Sequence, residues 1–321
     1  MSNFEKISDN IQAVKIGGSE LDEKIIWLNV VRAGRPEIEY LRKNFGFDLK
    51  SLRATLSTSL AERSIFEFLD NGYIFIILHY PRLADGQIST AEIDFFLGRN
   101  ILVSVHNNEL KAVNDLFNYR KKENSASFSG QRGHEAFLFA EILEKLAHHV
   151  YEIIDRHSSV IKQIEQTIFA SQQKKAVTEI LNLRRNIINC RRIMQGHKDI
   201  LASFLASPFV KNAPDRQEPF VHLIEHAKNI WKILENQNEI INVLNSTNES
   251  LLNFRLSDTM KTLTVFSVMI FPLTLVAAIF SMQTKSGMPF LDQPNNFWLV
   301  IILMALSGVA MIWYFKRKKW L

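Results

Sequence analysis

Two long apolar stretches near the end of the chain, Leu263–Met282 and Phe297–Phe315, constrain everything else in it. At ~1.5 Å per residue, a helix of about 20 residues covers the ~30 Å hydrocarbon core of a bilayer, and both stretches have that length. Only the short segment Gln283–Asn296 joins them, so they are expected to form a hairpin with both ends on one side. The basic cluster Lys316, Arg317, Lys318 and Lys319 follows the second stretch at once. By the positive-inside rule it marks that side as the cytoplasm. The expectation is transmembrane helix 1 over 263–282, an extracytoplasmic loop over 283–296, transmembrane helix 2 over 297–315 and a basic cytoplasmic tail over 316–321. This makes a multi-pass protein of the plasma (inner) membrane with both termini cytoplasmic.

The chain has 321 residues, 47% apolar and 22% charged, enough for one soluble domain with its own core plus the hairpin. Met1–Glu20 is polar and lacks the apolar run of a signal peptide. The single cysteine, Cys190, excludes an intramolecular disulfide and a cysteine-cluster metal site. Much of the net charge of +5 is the terminal cluster, placed to hold the hairpin against anionic lipid. The basic positions Arg184–Arg192 and Lys198 lie at helical spacing among apolar residues and read as a solvated helix face. Membrane lipid is therefore an expected partner and nucleic acid is not. No Gly-rich phosphate loop, nucleophile elbow or pair of carboxylates in a cleft is evident, so neither an enzyme nor a bound cofactor is expected.

The predicted fold is an α+β cytoplasmic domain with long helices and a two-helix transmembrane hairpin. Residues 1–133 read as the α/β part. Ile25–Val31, Tyr73–Tyr80, Ala91–Leu97 and Ile101–His106 are short runs rich in β-branched and aromatic residues, bounded by Gly, Pro, Asn and Asp. Gly98-Arg99-Asn100 suggests a hairpin between the last two. Pro36–Asn44 and Leu49–Leu60 read as helices. Residues 134–216 read as long antiparallel helices, His134–Ser171 and Lys174–Ala206, ended by Pro208 and Pro214. From about Gln217 nothing breaks a helix before Pro272. A stalk helix over 217–262 is thus predicted to continue into the first span, on the order of 100 Å in all.

Counted in sevens from Glu239, this helix carries Ser246, Asn253, Met260, Ser267, Thr274 and Ser281, all polar except Met260. The interleaved set Ser250, Ser257, Thr264, Phe271 and Ala278 is mostly small or polar too. A stripe with a period of 3.5 residues stays on one face only when several helices supercoil about a shared axis. Leu263, Ile270, Leu273, Val276 and Ile279 occupy other faces, so the stripe is not an apolar coiled-coil seam. Ser and Thr also assist close helix packing in membranes. Positions in phase on both sides of the membrane boundary favour a ring-forming helix around an aqueous path. Two spans cannot enclose a pore alone, so this reading requires a homo-oligomer.

Phe271-Pro272-Leu273-Thr274-Leu275-Val276-Ala277-Ala278-Ile279-Phe280, followed by Ser281-Met282-Gln283, resembles the pore helix of the CorA family of divalent-cation transporters. Met260-Lys261-Thr262-Leu263-Thr264 and the ending Tyr314-Phe315-Lys316-Arg317-Lys318-Lys319-Trp320-Leu321 are similar to the family's. So are Trp27-Leu28-Asn29-Val30, Phe45-Gly46-Phe47, Glu92–Asn100 and Val103-Ser104-Val105-His106 in the soluble part. The resemblance implies a homopentamer that passes hydrated divalent cations, magnesium foremost, along the first span. It implies pore-lining roles for Glu239, Ser246, Asn253, Ser257, Met260, Ser267, Phe271, Thr274 and Ala278. Met260 and Phe271 fall where the family narrows its pore by apolar constriction, and Thr274 fits a second hydrated-ion site.

The family's Gly-Met-Asn signature, which holds a hydrated cation at the pore mouth, corresponds here to Ser281, Met282 and Gln283. Gly287-Met288-Pro289 is a near-match in the wrong register. Gln283 keeps the amide but adds a methylene, and Ser281 adds a Cβ where the family has none. The loop charges Lys285 and Asp292 cancel, so no acidic funnel is expected. The carboxylates of the family's regulatory site correspond to Ala54 and His222, so closure by magnesium there is not expected. His222 and His226 lie four apart on one helix face, the spacing of a zinc or nickel pair, although an exposed pair is the simpler reading without a third ligand. The alternatives left open are a zinc, cobalt or nickel transporter, proton-coupled in one version, and a non-conducting membrane scaffold or sensor.

Overall fold

The computed structural model describes residues 4–17, 24–56, 64–69, 72–122, 135–211, 216–282, 296–318 and 320. The chain divides into two compact units, Met1–Asn245 and Ser246–Leu321.

The first unit is built on a seven-stranded sheet in the order β1-β2-β3-β7-β6-β5-β4. The strands are β1 (Phe4–Lys6), β2 (Ile11–Gly17), β3 (Lys24–Val31), β4 (Ile65–Phe68), β5 (Ile74–Ala84), β6 (Gln87–Gly98) and β7 (Ile101–His106). β3 and β7 pair in parallel, Ile26 opposite Ile101, and the other neighbours are antiparallel. Successive side chains of a strand point to opposite faces, and here both faces are buried. Ile93 and Phe95 of β6, with Trp27 of β3, belong to a core that includes Leu138, Phe139, Phe204 and Phe220. Phe96 of β6 belongs to the other, with Leu28, Ile38, Leu41, Phe47 and Leu52. Burial on both sides explains why β5 begins as an unbroken apolar run, Ile74–Leu78, and β6 ends in one, Phe95–Leu97, rather than alternating.

Helices α1 (Arg35–Phe45) and α2 (Leu49–Ala54) supply the second core. Glu37 starts α1 by accepting a hydrogen bond from the Gly34 amide at 2.8 Å, and Gly46 ends it in the left-handed region, φ 65°. Asp48 caps α2 by accepting from the Lys50 amide at 2.8 Å. The first core lies under α3 (Lys111–Lys122), α4 (Glu135–Phe169), α5 (Gln173–Met194), α6 (His197–Ala206), α7 (Pro208–Lys211) and the start of α8 (Glu218–Ser281).

Several expected elements change length. β5 and β6 run past the expected 73–80 and 91–97 to a two-residue link, Asp85-Gly86, in which both residues take positive φ, 51° and 76°. Asp-Gly suits that geometry. The expected hairpin at Arg99-Asn100 is present, with Asn100 at φ 61°. α2 stops at Ala54 where a helix to Leu60 was expected; positions 57–60 lie outside the described residues. The helix expected over Lys174–Ala206 divides at Gln195-Gly196. A Cβ on Gly196 would meet Ser64 at 3.4 Å, and the next residue, His197, donates from Nε2 to the His79 carbonyl of β5 at 2.7 Å. Docking onto the sheet therefore interrupts the helical run.

The second unit contains the remainder of α8 and α9 (Asn296–Arg317). Both helices are long and apolar enough to cross a membrane, and almost none of either apolar window is buried within the chain. Pro272 sits inside α8 without ending it. The amide it lacks leaves one carbonyl of the preceding turn free, which membrane helices tolerate.

Candidate functional site

α8 carries every residue of the predicted stripe; Met282 follows its last residue and is exposed, and Gln283 lies outside the described residues together with Lys285, Asp292 and Gly287-Met288-Pro289. Ser246, Asn253, Ser257, Met260, Thr274, Ala278 and Ser281 are exposed, Ser267 is half-buried, and Phe271 is 73% exposed. Glu239, in the first unit, is exposed as well. A straight α-helix drifts ~20° per heptad, so five heptads from Ser246 to Ser281 turn the stripe by about 100° unless the helix supercoils.

Four hydroxyls of the stripe share one hydrogen-bonding habit. Ser250 donates to the Ser246 carbonyl at 2.9 Å, Thr264 to Met260 at 2.8 Å, Ser267 to Leu263 at 2.9 Å and Thr274 to Ile270 at 2.7 Å. Each spends its only proton on its own helix. What it presents outward is oxygen lone pairs, an acceptor-only surface. Leu263, Phe266, Ile270 and Leu275 cover other faces of the same segment and are exposed large apolar side chains.

At the end of the stripe Ser281 is the last helical residue, and the Met282 amide donates to the Ile279 carbonyl at 3.2 Å. Ser281 therefore needs no backbone freedom special to glycine. Ala54, at the end of α2, packs against the second core and brings no oxygen ligand.

His222 and His226 are set apart by their surroundings. His222 is exposed, with Nδ1 3.9 Å from Glu225 Oε2. His226 packs against Tyr151, ring centroids 5.8 Å apart, with Nδ1 3.2 Å from the Tyr151 hydroxyl. Among the described residues no group of three or more His, Cys, Asp and Glu is placed to hold a metal ion.

Sequence reasoning passed over a set of buried polar groups on the sheet. His79 Nε2 lies 2.9 Å from Glu92 Oε2. Beside them Asp94 is buried with Oδ1 unpartnered, and burial, with the Glu92 charge adding, holds its carboxyl well above the usual range. Trp27, Asn29, Ser104 and His106 form a further buried network between β3 and β7. Only the cross-strand register brings these residues together, and no local pattern announces it.

Residues 22–317 match the family described as CorA-like Mg2+ transporter protein. The cobalt/magnesium transport protein CorA of Methanocaldococcus jannaschii is 21% identical over 94% of this chain and 92% of its own. The divalent cation transporter CmaX of Pseudomonas aeruginosa is 25% identical over 94% and 89%. Among solved structures, the complete CorA magnesium transporter from Methanocaldococcus jannaschii matches with a TM-score of 0.84 at 19% identity, covering 98% of this chain and 100% of that one. Full-length CmaX matches with a TM-score of 0.72 at 20% identity, covering 94% and 91%. The fold is theirs, and with a family match running from just before β3 to the end of α9, the chain belongs to the CorA-like Mg2+ transporter family, a family of membrane transporters and not of enzymes.

Proposed function

We propose that five copies of this chain form a ring in the inner membrane, both termini cytoplasmic, and pass hydrated divalent cations, magnesium foremost, along the α8 stripe. The acceptor-only hydroxyls of Thr264, Ser267 and Thr274 carry this reading. Magnesium gives up its water reluctantly, so a permeating ion presents the O–H bonds of its shell outward. Oxygens whose own protons are already bonded to the helix meet those O–H groups as acceptors and offer nothing to an anion. Phe271 and Met260 are the apolar rings of this pore, Glu239 draws cations to its cytoplasmic end, and Ser281, Met282 and Gln283 form its outer mouth. The names of the relatives, transporters of cobalt, magnesium and divalent cations, support the class of ion.

Ser281 and Gln283 in place of the family's Gly and Asn favour a second reading, in which the pore has changed its ion to zinc, cobalt or nickel, or has ceased to conduct. Uptake into proteoliposomes, with each metal tested separately and with or without a pH gradient, decides between these. The proposal expects saturable uptake that a bulky Thr274→Trp substitution abolishes while the oligomer survives. No uptake of any ion by an intact oligomer would leave the scaffold or sensor.

A further inference from the structure

A cavity of about 320 Å³ opens between α4, α5 and the tip of the β5–β6 hairpin. Its lining divides into three zones. Ile153, Ile164 and Leu183 are buried and give it an apolar floor. His157, only 4% exposed, also lines it; neither ring nitrogen reaches good hydrogen-bonding geometry, and the side chain that acts on the ring is Gln237 of α8. Arg156 is exposed and Glu179 half-buried, so the two bring opposite charges to the cavity lining. Glu179 Oε2 is sheltered and unpartnered, while Oε1 faces Lys175 at 3.7 Å.

The hairpin tip is held in place independently of any ligand. Asn186 of α5 donates to the Gly86 carbonyl at 2.9 Å and accepts from the Ile88 amide at 3.0 Å. Binding sites for small molecules have this character: largely preformed, mostly apolar, with a few polar groups that set orientation. In a well-packed interior buried polar atoms are satisfied, and three of the atoms left open among the described residues, both ring nitrogens of His157 and Oε2 of Glu179, belong to residues that line this cavity.

The charges select the ligand. A free anion matches Arg156 but meets Glu179, and a simple amine matches Glu179 but meets Arg156. A hydrated metal ion finds an apolar floor and, among the described residues, no third ligand of its kind. A molecule with one positive end, one negative end and a short aliphatic body matches the two charges and the apolar floor together. We propose that this cavity binds a small zwitterion of the amino-acid type, its carboxylate on Arg156, its ammonium on Glu179 and its aliphatic body over Ile153, Ile164 and Leu183. The site is separate from the α8 stripe and does not depend on what the stripe conducts.

Three probes of similar shape test it by saturation-transfer NMR on the full chain in detergent: L-leucine, 3-methylbutylamine and 4-methylpentanoate. Leucine is expected to give a saturable signal, and each singly charged analogue to bind about tenfold more weakly or worse, as loss of a charge-assisted hydrogen bond predicts. Arg156→Gln and Glu179→Gln should each weaken leucine by a similar factor. Both side chains reach solvent, so these variants keep the fold, which an unchanged unfolding temperature verifies. The proposal is overturned if leucine shows no saturable signal, the cavity then holding water alone. It is equally overturned if the three probes bind alike, or if both variants bind leucine as the parent does.

Discussion

His106 Nε2 lies 2.9 Å from Asn29 Oδ1, the oxygen that also accepts from Ser104 Oγ at 2.9 Å. The Asn108 amide donates to His106 Nδ1 at 3.1 Å, which fixes the ring as the neutral tautomer with its proton on Nε2. Trp27 Nε1 completes the network by donating to Ser104 Oγ at 3.0 Å. The parallel pairing of β3 with β7 is thus tied by side chains as well as by its ladder.

The neutrality of that ring makes stability depend on pH. Burial lowers His106, His157 and His197 each to about 4. In an unfolded chain histidine titrates near ~6.5, so between these values the unfolded state binds protons that the folded state refuses. Stability from this source is complete above about pH 6.5 and is lost as pH falls toward 4, by up to roughly 3 kcal/mol for each ring. Asp94 has the opposite sign: its raised carboxyl keeps a proton that the unfolded chain releases, so its contribution is lost as pH rises through the folded value. Three histidines outweigh one aspartate. The unfolding temperature of the detergent-solubilised protein should fall between pH 7 and pH 5, and His106→Gln should flatten that fall. A temperature unchanged over this interval would contradict the assignment.

Asn186 is the clamp between α5 and the β5–β6 hairpin. Replacing it with Ala leaves the Ile88 amide, buried at that point, without its acceptor and the Gly86 carbonyl without its donor. A buried group left open costs about 1–3 kcal/mol. Asn186→Ala should lower the denaturation midpoint by an amount in that range, with an unchanged denaturant slope as the sign that the fold is retained.

How much of this was legible in the sequence follows from how local each feature is. The α8 stripe is a period along one helix, and Glu239, Ser246 and Thr274 can be counted without knowing any contact. The central strands announced themselves as apolar runs, because burial on both faces left no alternation to search for. β4 (Ile65–Phe68) is too short to signal itself, and β2 (Ile11–Gly17) is interrupted by Gln12 and Lys15. Asp85-Gly86 did carry a hairpin signal, which would have lengthened the two flanking strands had it been used. Asn186 meets Ile88 across 98 positions of sequence, and the cavity beside them exists only because α5 lies over that hairpin. No periodicity encodes such a contact.

Phe271 tests the apolar constriction. It is 73% exposed in the single chain and in phase with Thr264 and Ala278, so in the proposed ring it points at the axis. A ring of phenylalanine excludes water from a narrow pore. Phe271→Ala should raise the rate of divalent-ion flux into proteoliposomes several-fold at unchanged oligomeric state. An equal or lower rate would place Phe271 against lipid or a neighbouring helix, and would shift the stripe by about 100° around α8, the angle between successive residues.

The outer mouth of the proposed pore is where this chain departs from the motif it resembles, and the double substitution Ser281→Gly with Gln283→Asn restores that motif's residues. Ser281 closes a regular helix, so its backbone does not use glycine's freedom. If the mouth is specialised for its ion, the restored residues loosen α8 at its last turn and set the amide ring one methylene farther from the axis. Flux should then fall, or the order of preference among magnesium, cobalt, nickel and zinc should change, as read by competition in the same proteoliposomes. A large gain in flux with the order unchanged would mean instead that the parent pore has lapsed, and the function would then lie with the scaffold.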